Sequence, residues 1–188
     1  MISKLNLLTV ILFLSVIGSC SVSNYSESNN AHNDFLKVTN ALSFSEQTKT
    51  YELLLKITNK STRNLLLHRV ILHDMHYSFD FFQNYQRVNF KRLFKIQDFS
   101  ARDNFILLPN DTLEKDYSLG GLHPDLQKAK EKILVKWEYV ITDIANDSAS
   151  LKTESCPTGN YIASGSFIID PNVLPNGKDI LAKVICQL

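Results

Sequence analysis

The stretch HRVILHDMHYSFD gathers the side chains most able to do chemistry, with His68, His73, Asp74, Met75 and His76 falling inside nine residues. Imidazole, carboxylate and thioether donors are the ligand types of zinc and copper. Their spacing argues against a site if the stretch is extended. On a strand His68 and His73 point to opposite faces, as do His73 and His76, and His68 lies about 26 Å from His76. Only a turn across Asp74, Met75 and His76 would let two of these imidazoles converge, so neither a metal nor a cofactor is expected. Catalytic patterns are also missing. Ser164-Gly165-Ser166 lacks the spacing of a nucleophile elbow, Gly120-Gly121 has no phosphate-loop lysine behind it, and no motif places a pair of acids. The chain is therefore expected not to be an enzyme.

Cysteine occurs three times, as Cys20, Cys156 and Cys186, and the first closes a distinctive start. Lys4 gives a positive charge, residues 5–17 form an apolar run broken by Asn6, Thr9 and Ser15, and two small residues follow. A helix of that length reaches roughly 20 Å, short of the ~30 Å hydrocarbon core, so export followed by cleavage fits better than a membrane span. The register Ile17-Gly18-Ser19-Cys20 resembles the lipobox of bacterial lipoproteins. That resemblance covers only the leader. It implies a signal peptide over residues 1–19, a diacylglycerol on the Cys20 thiol and an acylated new amino terminus. Several acyl chains hold a protein firmly on a bilayer where one binds marginally. Ser21, in place of Asp after the cysteine, implies the outer membrane facing the periplasm if the source is Gram-negative. An ordinary secretory signal with a chance cysteine is the alternative.

Without residues 1–19 the chain keeps 19 basic and 19 acidic side chains, so charge gives no reason to expect nucleic acid as a partner. Residues 20–34 are polar almost throughout, with four serines and four asparagines, and predict a flexible spacer between lipid and domain. Residues 35–188 suit one domain with a real core. If Cys20 carries lipid, Cys156 and Cys186 are the two thiols left in an oxidising envelope, where they would pair. The bridge closes a loop of about 30 residues, worth roughly 3–4 kcal/mol in the chain-entropy model. A redox pair is the alternative, but the spacing is not C-x-x-C.

The elements that must position these residues read as strands. Ile133, Val135, Trp137, Tyr139 and Ile141 alternate with Lys136 and Glu138, and Tyr51, Leu53, Leu55 and Ile57 repeat the pattern before the turn cluster Asn59-Lys60-Ser61-Thr62. Residues 65–72 are apolar on both sides and predict a central strand, with a short buried helix as the alternative that periodicity leaves open. Further runs cover residues 77–82, 88–96, 104–108, 112–119, 161–169 and 180–186, with turns at Pro109-Asn110-Asp111 and Asn176-Gly177. Only residues 124–132, opening with Pro124, suggest a helix. About eight to nine short strands and one connecting helix predict an all-β antiparallel sandwich. The stretches YELLLKITNKSTRNLLL, FILLPNDTLEKDYSL and KILVKWEYVI resemble immunoglobulin-like β-sandwich domains of exported bacterial proteins. That resemblance supports the fold and implies no functional residue.

One region invites a partner. Residues 77–85 carry aromatics on both faces of any strand, which makes them an inner strand unless Phe82 and Tyr85 reach the surface as anchors. The basic run after them, with Arg87, Lys91, Arg92 and Lys95, would suit an acidic partner or a solvated face. The expected function is a non-catalytic, lipid-anchored scaffold or binding module that holds another envelope protein; an inhibitor or immunity protein blocking a periplasmic hydrolase is the alternative.

Overall fold

A computed structural model describes residues 35–68, 72–93, 104–142, 156 and 158–187. The leader, Cys20 and the spacer lie outside the described residues, as do parts of the runs expected over residues 65–72 and 88–96. The strands are β1 (Leu36–Ser45), β2 (Thr50–Asn59), β3 (Leu65–His68), β4 (Tyr77–Gln83), β5 (Gln86–Val88), β6 (Asn104–Leu107), β7 (Thr112–Ser118), β8 (Ile133–Thr142), β9 (Asn160–Ile169), β10 (Asp179–Leu181) and β11 (Lys183–Cys186). They form an all-β antiparallel sandwich. A four-stranded sheet runs β10-β1-β2-β7, a five-stranded sheet runs β11-β9-β8-β4-β5, and β3 pairs with β6.

Period-two alternation explains the core. Ile133, Val135, Trp137, Tyr139 and Ile141 of β8 are all buried, and they face Leu53, Leu55 and Ile57 of β2 within one apolar cluster. Two phenols tie the sheets together across it. The Tyr77 hydroxyl donates to Asn40 Oδ1 of β1 at 2.5 Å, and the Tyr117 hydroxyl donates to the Leu72 carbonyl at 3.1 Å while lying 3.4 Å from the Tyr139 hydroxyl. Burial raises all three phenols, Tyr117 to about 12.

Four expectations change, the first being the run over residues 88–96, whose described part is strand only at Val88. The run at residues 65–72 is not a central strand: β3 ends at His68 and has β6 as its paired neighbour, with Leu65 and Leu67 buried as a flap of the core. The connecting helix expected over residues 124–132 is a 3-10 helix over Pro124–Lys128 only, and it is preceded by a single α turn, α1 (Leu119–Leu122), capped by Ser118, in a stretch not expected to be helical. The C-terminal run breaks in two because Ala182 is buried and donates its N–H to the Val38 carbonyl, so that β10 joins one sheet and β11 the other. Beyond that switch the sulfurs of Cys156 and Cys186 are within bonding distance, with Cα atoms 5.4 Å apart.

Candidate functional site

The histidine cluster does contain the turn that convergence required, since Asp74–His76 forms a 3-10 helix with His73 at its N-cap. The rings are used locally. Met75 N–H donates to His73 Nδ1 at 3.0 Å, and Asp74 Oδ1 lies 2.9 Å from the same nitrogen. His76 Nδ1 donates to the Val140 carbonyl at 2.8 Å, and burial holds its pKa below the ordinary imidazole value. Arg92 fastens the turn to β4: its guanidinium donates to the Tyr77 carbonyl at 2.7 Å and to the Asp74 carbonyl. Among the described residues no three His, Cys, Asp or Glu side chains gather as a metal group would need.

Ser164 and Ser166 are neighbours on β9, and Gly165 between them has a packing reason. A Cβ there would stand 2.7 Å from Trp137 Cζ2, so only glycine lets the indole cross the strand. Gly120 and Gly121 sit inside α1, where Gly121 N–H donates to Ser118 Oγ at 3.0 Å.

The aromatic region divides as the pleat requires. Tyr77, Phe79 and Phe81 face inward with Trp137 and Tyr139 of β8, while Phe82 faces out opposite Leu134. Leu134 in turn faces Ile168 of β9, so Phe82, Leu134 and Ile168 form an apolar row across three strands. Leu134 is 36 % and Ile168 61 % exposed. The Lys136 ammonium stands 5.1 Å from the Phe82 ring centroid and half-covers it. The row opens into a groove of about 680 Å³ walled by exposed Val173 and Leu174 on the loop after β9. Leu42 and Tyr51 also line this groove, which places it at the end of β1 remote from Phe35.

Tyr85 stands at the tip of the β4–β5 hairpin. Asn84 and Tyr85 both have positive φ, 49° and 64°, the backbone of a two-residue hairpin turn whose second position favours glycine. The tyrosine there is 103 % exposed. Of the basic residues, Arg87 is exposed and ion-paired with Asp80, Lys91 is exposed, and Arg92 is turned inward on the two carbonyls. The structure thus brings Phe82, Tyr85 and Arg87 to one hairpin and separates Arg92 from them. Leu134, Ile168, Val173 and Leu174 were missed by sequence reasoning. For Leu134 and Ile168 the signal was an apolar residue at an outward position of an otherwise alternating strand; Val173 and Leu174, on a loop, gave none. The sequence matches no protein-family model, and no curated protein is similar to it.

Proposed function

We propose that the chain is a lipid-anchored envelope protein that works by binding another protein and performs no chemistry of its own. Tyr85 is the observation that carries this reading. A non-glycine residue in the left-handed region costs roughly 1–2 kcal/mol, and the wholly exposed ring returns no packing within the domain. A large, rigid aromatic side chain held out in water suits an interface anchor. The apolar row of Phe82, Leu134 and Ile168 extends the same surface, with Arg87, opposite Phe82 in the hairpin, at its margin for an acidic partner; Lys91 is exposed farther along, at the edge of the sheet. The anchor in this proposal is acylated Cys20. A spacer of about fourteen residues has a typical reach near 20 Å and would confine the search to membrane neighbours.

Crosslinking followed by capture from the native host tests the reading. Phe82→Ala with Tyr85→Ala, and separately Ile168→Asp, should each lower partner recovery while thermal unfolding stays cooperative. Unchanged recovery in both variants, or turnover of an envelope substrate by the purified protein, rules the proposal out. Cys20→Ser tests the anchor independently: membrane fractionation identical to wild type removes it.

A further inference from the structure

The β4–β5 ladder stops early, and the cause is visible. Its register pairs Phe81 with Val88 and Gln83 with Gln86, so the next hydrogen-bonded pair would be Phe79 with Phe90. That pair is absent because His123 takes the Phe90 carbonyl, its Nδ1 donating at 3.2 Å, while Leu93 N–H turns away to the Leu122 carbonyl. Alternation leaves both main-chain groups of Phe79 on the β5 side of β4, and among the described residues neither the ladder nor any turn or loop hydrogen bond takes them up. Arg92 closes one end of the gap at the Tyr77 carbonyl, and the Phe81–Val88 pair closes the other. Between them lies a cleft of about 660 Å³, lined by residues 78–81, residues 87–92 and His123.

We infer that this gap beside Phe79 is a docking site for an extended, acidic segment of another polypeptide, which completes the missing stretch of ladder. One donor and one acceptor side by side on a strand edge match one residue of a second strand, whereas a small anion would satisfy the donor alone. Charge selects the sign of the segment: Arg87 is paired with Asp80 and Arg92 is held on two carbonyls, and exposed Lys91 leaves the lining of the cleft net positive. The half-buried rings of Phe79 and Phe90 give an apolar floor for alternate side chains of the incoming strand. His123 supplies an independent sign of incompleteness. It is only 4 % exposed, and with Nδ1 as donor its Nε2 is an acceptor that has no hydrogen-bond partner among the described residues. The inference rests on the binding reading only in making the occupant a polypeptide; it concerns the edge of the sheet and not its outer face.

The test uses the full chain in detergent and fluorescein-labelled hexapeptides: alternating valine and glutamate, the same with lysine for glutamate, and the acidic peptide N-methylated at alternate residues. The acidic peptide should bind saturably and slow hydrogen exchange at the Phe79 amide. N-methylation of the residues that face β4 should abolish binding, while methylation of the other set should not. Lys91→Glu, an exposed change that leaves the fold intact, should weaken binding by about tenfold or more. Equal binding of the basic peptide, indifference to Lys91→Glu, or a Phe79 amide already protected in the free chain overturns the inference. Ile168→Asp separates the two surfaces. It should leave peptide binding unchanged; loss of peptide binding there would move the peptide to the outer face, defeating the edge site but not the binding reading.

Discussion

The β1–β2 hairpin zips ten residue pairs, from Leu36 opposite Asn59 to Ser45 opposite Thr50, whereas β4–β5 zips three. Turn chemistry does not explain the difference. The shorter ladder has the tighter, better-matched two-residue turn, while the longer one closes through four residues with Lys49 at φ 51°. What differs is competition for the main chain and cover for the side chains. Along β2, Leu53, Leu55 and Ile57 are buried, and Asn59 closes the far end. Its amide nitrogen donates to the carbonyls of Arg63 and Leu107, and its oxygen accepts from Ser61 N–H and hydroxyl. Along β5 the next carbonyl belongs to His123. A ladder therefore extends as far as burial rewards it and ends where a side chain outbids the neighbouring strand.

Removing burial from the long hairpin should have the largest effect. Leu55→Ala should cost about 3–5 kcal/mol in denaturant titration, because it opens a cavity at the centre of the packed sheets. Asn59→Ala should cost about 2 kcal/mol by the same measurement, since it strands buried carbonyls at the closing end of that hairpin.

Acid should act from the other side of the comparison, through His76 and His123 near the short ladder. Burial is the first cause that holds both rings below the ordinary value of about 6.5. Their contribution is complete above that value. It is lost as pH falls below it, because the unfolded chain takes up protons that the folded rings resist. Melting temperature should therefore fall on going from pH 7.5 to 5, and His76→Gln with His123→Gln should flatten that dependence. The smallest change is Tyr85→Gly, expected to stabilise the domain by about 0.5–1 kcal/mol while weakening partner capture. A loss of stability in that variant would mean that the ring serves the fold.

Strands with one dry and one wet face were legible in the sequence. In residues 133–141 and 51–57 the apolar inward positions recur at every second residue, and each is buried as read, although Leu54, Leu134 and Val140 put apolar side chains on the other face. The strand β1 was not anticipated, because Thr39 and Asn40 are buried polar residues that break the pattern, and Asn40 finds its use only as the acceptor for Tyr77 from the opposite sheet. The strand expected from Val88 ends there because the competing donor, His123, is 33 residues from Phe90. Phe82 and Tyr85 could be nominated from composition, but the neighbours that give Phe82 its row belong to β8 and β9. Cross-strand register assembles that surface, and a linear sequence does not display it.

The sheet switch at Ala182 also has a mechanical meaning. A pull entering at Phe35 runs along β1, which is held on both sides by antiparallel neighbours, β2 and β10. Such a load shears the ladder bonds together instead of opening them one after another. Through Ala182 the same tension passes from β10 into β11 and so into the second sheet, with the Cys156–Cys186 link beside the end of the path. A load applied at the remote end would thus draw against both sheets at once, and the domain would carry tension as a tie.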